Sequence, residues 1–259
     1  MTPTWYREPS ETPVFILTIT AVLVLVGLTA GLTVCIVPII VLIILVMSYG
    51  STQAHHQELM KSATPVSPTR TPELYALVKQ CERELQPGDM EVYVTNSREM
   101  NAYTFGLSTP KVVVLYSALF DVMDADELKF IVGHEFGHAA LGHTWLNTLL
   151  GGMAGVPMPI GAAVLLTLAF RWWNRICEYS ADRAGLLACG SLNSATRALV
   201  KLVSGPIHSE EQYDRIMAAI DAEDDNIMNV LAQSFATHPM IIDRIEHLRS
   251  FAAEKRIQQ

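Results

Sequence analysis

The stretch FIVGHEFGHAALGHTWL, residues 130–146, sets three histidines and a glutamate into an apolar run. Just upstream, Asp124 and Glu127 match a capping box, so the segment reads as part of a helix. Residues four apart stand on one face of a helix, so His134 and His138 can both point an imidazole nitrogen at one cation. Glu135 lies one step round, where its carboxylate can reach a water activated by that ion without ligating it, as a general base must. A chance H-E-x-x-H in a chain of this composition has a probability of about one in a hundred, so the motif is specific. Two histidines are nevertheless only half of a zinc site.

The remaining ligand has to come from elsewhere. His143 is nine residues beyond His134; a continuing helix would turn it to the opposite side, and it reads as a capping or packing residue, with a direct role near the site as the alternative. The metzincin pattern would need its third histidine at position 144, where this chain has Thr144. The better source is RICEYSADRAG, residues 175–185, in which Glu178 and Asp182 are again four apart on an expected helix. One carboxylate can ligate the metal while the other accepts from the outer nitrogen of a ligand histidine and fixes its tautomer. Two histidines and one carboxylate leave a fourth position open for water. Cys177 points away from the metal on such a helix and reads as core.

HEFGH at 134–138, followed by EYSAD at 178–182, resembles the gluzincin metalloproteases and, within them, the HtpX-like family that also contains the CAAX prenyl proteases. NAYTFG at 101–106 is similar to that family's Asn-Ala-aromatic strand beside the cleft, and THPMIIDRI at 237–245 to its late His-Pro motif. The resemblance covers essentially the whole non-membrane part. It implies an α+β, mainly helical gluzincin metalloprotease domain and one Zn2+ per chain on His134, His138 and Glu178. It further implies Glu135 as base, Asp182 on the outer nitrogen of a ligand histidine, and His238 as a donor to the oxyanion of the tetrahedral intermediate. The implied activity is hydrolysis of peptide bonds in protein or peptide substrates, in particular misfolded or damaged membrane proteins. A non-catalytic protein that uses the same zinc to brace a membrane scaffold or a partner-binding surface is the rival, and an intact Glu135 with an open fourth position argues against it.

Two further assignments have competing readings. The strand edge at Asn101, Ala102 and Tyr103 either pairs with an extended substrate peptide or is an ordinary sheet edge. Arg244, inside the late motif, either ties the last helix down through an ion pair or contacts substrate. The chain also departs from the family: the prenyl proteases have many more membrane spans than it can supply, and HtpX has a further pair of spans between the first motif and the third ligand.

The membrane reading comes from PVFILTITAVLVLVGLTAGLTVCIVPIIVLIILVMSYG, residues 13–50, which holds no charged residue. A helix needs about 20 apolar residues to cross the hydrocarbon, so this run is read as a transmembrane hairpin of two short spans turning near Gly31, with one tilted span as the alternative. It is too long for a cleaved signal peptide and reads as a retained anchor. The basic residues near the spans, Arg7, Lys61 and Arg70, are few; they favour a catalytic domain on the cytoplasmic side without deciding it, and the expected location is the plasma (inner) membrane. Lys and Arg number 18 against 26 Asp and Glu, a net charge of −8 that offers no footprint for nucleic acid. Cys35, Cys81, Cys177 and Cys189 have neither metal-ligand spacing nor a disulfide pattern and read as reduced thiols.

The expected organisation is a polar tail at 1–13, the anchor at 14–48, a linker at 49–71 with His55 and His56 solvated, and the protease domain at 72–259. Within that domain Pro72 starts a helix whose face is Leu74, Leu77, Val78, Cys81 and Leu85. MEVYVTNS, AYTFG and KVVVLYSAL follow as a small antiparallel sheet. Helices are expected near 172–189, 191–204, 209–221 and 239–254. One zinc cannot be ligated from both sides of a bilayer, and 146–170 is too short for two crossings. The apolar insertion at about 145–171 is therefore expected as a hairpin that does not cross, packed on the domain or dipping into the near leaflet, with Trp172 and Trp173 at the headgroups.

Overall fold

In a computed structural model that describes residues 5–32, 36–106, 109–145, 162–222 and 241–257, the apolar run forms two helices in contact with each other, α1 (Glu11–Leu32) and α2 (Ile36–Ser62). Both are apolar around much of their circumference. Leu23 and Leu28 on α1, and Leu42, Val46 and Met47 on α2, remain exposed, a surface that water does not favour. Among the described residues one helix, over Glu11–Leu28, is long and apolar enough to cross a membrane.

Residues 49–62 of the expected linker are instead the continuation of α2, and only the stretch after Ser62 leaves the helix. Residues 53–61, QAHHQELMK, are largely good helix formers, and the next proline is Pro65, so nothing local stops the helix. The apolar periodicity is weak there because little of this end is buried. His56 is buried all the same: its Nε2 lies 2.7 Å from the Tyr103 hydroxyl and its ring stacks on Phe105 at 3.8 Å. It is not a solvated linker histidine, whereas neighbouring His55 is exposed.

After β1 (Thr64–Pro65) comes α3 (Pro72–Leu85), which buries Val78, Cys81 and Leu85 of its expected face. The strands β2 (Met90–Thr95), β3 (Ala102–Phe105) and β4 (Lys111–Tyr116) complete a four-stranded sheet of order β1-β2-β4-β3. The sheet is mixed, not antiparallel as the strand pattern led us to expect: β2 and β4 are parallel, and only the outer pairs are antiparallel. The cause is the connection 96–101, which passes over the end of β4 instead of folding straight back. Ser117 holds it there: its N–H donates to Thr95 O at 2.9 Å, and its hydroxyl accepts from Ser97 N–H at 3.1 Å. The all-apolar core of β4, Val113, Val114 and Leu115, is fully buried at the sheet centre, and β3 becomes an edge.

A short helix α4 (Ala118–Val122) leads into α5 (Ala125–Leu141), which carries the histidines. The capping box forms as read, with Asp124 accepting from the Glu127 N–H at 2.9 Å and Glu127 accepting from the Asp124 N–H at 2.8 Å. The helix ends at Gly142, whose φ of 81° is open to glycine at little cost. Then follow α6 (Ala162–Cys189), α7 (Leu192–Ser204), α8 (Glu210–Asp221) and α9 (Ile241–Lys255). Helix α6 thus begins ten residues before the expected start at 172, in the stretch read as the end of the apolar insertion. The rest of that insertion, 146–161, lies outside the described residues. Trp172 is half exposed, but Trp173 is not at a headgroup surface: it is buried with Val14, Ile176 and Cys177, where α1 docks on α6.

The polar tail also docks. Tyr6 is fully buried in the main core, Arg7 Nη2 donates to Leu141 O at 3.1 Å at the C-terminal end of α5, and Glu8 pairs with Arg183 of α6.

The contact between α5 and α6 is a seam of small residues. A Cβ at Gly133 would stand 2.5 Å from Ala188 Cβ, one at Gly137 2.7 Å from Ala184 Cβ, and one at Gly185 2.7 Å from Phe130 O. These helices approach more closely than side chains would allow, which brings the two metal-ligand motifs within reach of each other. Gly133→Ala should therefore destabilise the fold by about 1–3 kcal/mol through overpacking. Gly50→Ala, with open space around it in α2, should be neutral or slightly stabilising. Thermal unfolding of the two variants in detergent checks both, and an unchanged midpoint for Gly133→Ala would mean that the seam has slack.

Candidate active site

His134 and His138 project from the same face of α5 with their Nε2 atoms 3.1 Å apart. Glu178 of α6 faces them, with Oε2 3.5 Å from His134 Nε2 and Oε1 3.4 Å from His138 Nε2. A tetrahedral ion with bonds of about 2.0–2.2 Å sets its ligand atoms about 3.3–3.6 Å apart, so these three groups fit one face of such a site. Two imidazoles and a carboxylate suit a borderline divalent metal. All three ligand side chains also border a cleft of about 240 Å³, shared with Glu135, Tyr103, Thr104 and Arg244.

Each histidine has its outer nitrogen occupied. His134 Nδ1 is 2.9 Å from Asp182 Oδ1, and Asp182 is gripped in turn by Arg244, with Nε to Oδ2 at 2.7 Å and Nη2 to Oδ1 at 2.6 Å. Arg244 Nη1 also lies 3.3 Å from Glu178 Oε2, so of its two readings the structure shows the ion pair, made to α6. Burial pushes the Glu178 and Asp182 carboxyls up, but the Arg244 guanidinium and the histidines outweigh it, holding Asp182 below and Glu178 well below the usual range.

On the other arm, His138 Nδ1 lies 2.8 Å from His143 Nδ1. This differs from the expected opposite-face position, and Gly142 is the reason: the helix stops there and the chain turns back. The His143 N–H donates to His138 O at 3.0 Å and the Gly142 N–H to Ala139 O at 3.2 Å, a Schellman arrangement, so His143 does cap by its backbone. Its Nε2 is 3.1 Å from Glu11 Oε1, and Glu11 also accepts from the Ser180 hydroxyl and from Arg7. Burial above all drives His143 down to about 4 and keeps it neutral, although Glu11 acts in the other direction. Nothing in the sequence pointed to Glu11, which is 132 residues away from its partner.

Glu135 is buried at the cleft wall, and the Thr104 hydroxyl donates to its Oε2. Thr104 went unread in the sequence; the only signal was its place in the NAYTFG strand. The Tyr116 N–H donates to Asn101 O at 3.1 Å, so alternation along an antiparallel pair turns the backbone groups of Ala102 and Thr104 away from β4, toward an edge that pairs with no other strand among the described residues. Of the expected edge residues, Asn101 and Ala102 border the cleft, and Tyr103 does so while its hydroxyl is tied to His56. Cys177 is buried core, as read. His238 lies outside the described residues.

The model of peptidase family M48 matches residues 68–162 and 155–252, a span that includes all four motifs quoted above. The chain belongs to peptidase family M48. M48 peptidases are metal-dependent, which accords with the three convergent ligand atoms. Among its relatives is the plastoglobule-localized metallopeptidase 48 of Arabidopsis thaliana, 30% identical over 147 residues, or 54% of this chain and 42% of that protein. A CAAX prenyl protease 1 homolog of Dictyostelium discoideum is 35% identical over 96 residues, 36% of this chain and 22% of that protein. A protease HtpX homolog of Thermodesulfovibrio yellowstonii is 26% identical over 234 residues, 74% of this chain and 80% of that protein. The chain thus spans less than half of the first two relatives and most of the HtpX type. The M48 membership bears out the HtpX-like resemblance carried by HEFGH and EYSAD.

The Arg244 clamp can be tested without turnover. Arg244→Met leaves the Asp182 carboxylate buried without its bidentate partner and should cost about 3–5 kcal/mol in urea unfolding of chelator-treated protein. Wild-type stability in that variant would show that Asp182 is satisfied by His134 alone.

Proposed function

We propose that this chain is a membrane-anchored zinc endopeptidase. The observation that carries the reading is the convergence of His134, His138 and Glu178 on one point bordering a cleft, with Glu135 beside it and a strand edge that is unpaired among the described residues. When bound, zinc would supply a Lewis acid that polarises the scissile carbonyl and acidifies water to a pKa of about 7. Glu135 takes the proton of the attacking water and later delivers it to the leaving amine, and the Thr104 hydroxyl fixes the orientation of that carboxylate. Asp182 and Arg244 hold His134 and Glu178 in place. An extended substrate pairs with the edge at Asn101, Ala102 and Tyr103, which binds through the backbone with little sequence preference. His238, from the late motif, donates to the oxyanion.

Against a zinc-braced scaffold stands the donor set: among the described residues the cluster has three protein ligands, whereas structural zinc sites close with four. The substrate class we infer is misfolded or damaged membrane protein, supported by the HtpX-type relatives and by the apolar helices α1 and α2, which join the protease domain directly. We place α1 and the apolar part of α2 across the plasma membrane as a hairpin, with the protease domain on the cytoplasmic side.

Two measurements test this. Glu135→Gln should keep about one zinc per chain yet lose cleavage of an unfolded test protein by about 10²–10⁴-fold, and His238→Ala should lower kcat by about 10²–10³-fold with zinc retained. Undiminished cleavage by Glu135→Gln would falsify the mechanism. For the topology, Ser62→Cys and Ser194→Cys, each in a background without native cysteines, should label with an impermeant maleimide from the same, cytoplasmic face; labelling from opposite faces excludes a site shared by His138 and Glu178.

A further inference from the structure

We propose that Glu11, the first residue of the apolar helix α1, is a positioning residue for the metal centre, acting on His138 through His143. The inference rests on the reading of His134, His138 and Glu178 as the metal site. A histidine that offers Nε2 to a metal carries its proton on Nδ1, and in a buried site that proton needs an acceptor. For His138 the group in reach is His143 Nδ1, 2.8 Å away. If His138 donates, His143 Nδ1 must be bare, so the His143 proton sits on Nε2, and Nε2 is 3.1 Å from Glu11 Oε1. The tautomers of both rings are thereby fixed by one carboxylate at the end of the chain of hydrogen bonds.

Glu11 is built to serve as that end point. It is 1% exposed, as is His143, and it also accepts from Ser180 of α6 and from Arg7. A carboxylate at the head of an apolar helix is costly to bury unless paired, and here the partners draw it into the domain. The arrangement parallels that at His134, whose outer nitrogen meets Asp182 directly. The difference lies in the source: Asp182 comes from the ligand-bearing helix α6, whereas Glu11 comes from the segment that leads into the membrane. The anchor is therefore part of the active site as well as its tether. Glu11, His143 and Cys177 are close enough to form a second cation cluster, but both ring nitrogens of His143 are already engaged.

The test is a double-mutant cycle on zinc affinity in the full chain in detergent, by competition with a chromophoric chelator. Glu11→Gln and His143→Gln should each weaken zinc binding by about 10–100-fold. The double variant should be no weaker than the worse single one, because both act along one arm. In the cobalt(II)-loaded protein the visible ligand-field bands should shift in Glu11→Gln, a change that loss of packing elsewhere would not produce. Unchanged affinity in Glu11→Gln, losses that multiply, or two zinc ions in the wild type with one lost in Glu11→Gln would each overturn the inference. Should Glu11→Gln not fold, Ser180→Ala, which removes a donor to Glu11 without touching His143, replaces it; affinity equal to wild type in that variant would likewise overturn it. A wild-type chain that binds no zinc sinks the metal-site reading itself, whereas zinc bound with equal affinity by wild type and variants sinks the role of Glu11 alone.

Discussion

The close approach of α5 and α6 is the constraint on which the site depends. Ligand atoms 3.1–3.5 Å apart have to come from two separate helices, and a carboxylate side chain reaches only a few ångströms. Gly133 and Gly137 of α5 and Gly185 of α6 remove the side chains that would hold the helix axes apart, and Ala181, Ala184 and Ala188 line the α6 side of the seam. The residues between and beside the histidines of HEFGH are thus as constrained as the histidines, for a steric reason and not a chemical one.

Around that seam the domain buries several charges, two of which are closely paired. Asp182 and Arg244 form a bidentate pair that also touches Glu178, while Glu11 is met by Arg7, Ser180 and His143. Buried ion pairs contribute little net stability, because desolvation offsets most of the attraction. Their effect is to restrict geometry: a satisfied polar network in a low-dielectric interior admits few alternative rotamers. That suits a site in which three side chains must meet within a few tenths of an ångström.

The cleft is shaped by the alternation of a single strand. Successive side chains of β3 point to opposite faces, so Tyr103 and Phe105 meet His56 of α2 while Thr104 between them reaches Glu135. One four-residue strand therefore joins the end of α2 to Glu135 on the cleft wall. The sheet order makes this strand an edge among the described residues, so its remaining backbone groups pair with no other described strand, and Ala102, Tyr103 and Thr104 border the cleft.

The sequence by itself determined the features that arise from neighbours along the chain. The i, i+4 spacing of His134 with His138 and of Glu178 with Asp182, the capping box at Asp124, the buried face of α3 and the apolar run of α1 and α2 are written in the local sequence, which helix geometry turns into shared faces without help from the rest of the molecule. What only the tertiary structure decided depends on residues far apart. The parallel pairing of β2 with β4 follows from where the connection 96–101 passes, the continuation of α2 to Ser62 from the absence of a stop that periodicity could register, and the meeting of His56 with Tyr103 from packing across 47 residues. The return of His143 to His138 turned on one left-handed glycine, and its partner Glu11 stands 132 residues earlier in what read as a polar tail. Such contacts leave no periodic trace, because the free energy that selects them comes from burying and satisfying groups that only the folded chain brings together.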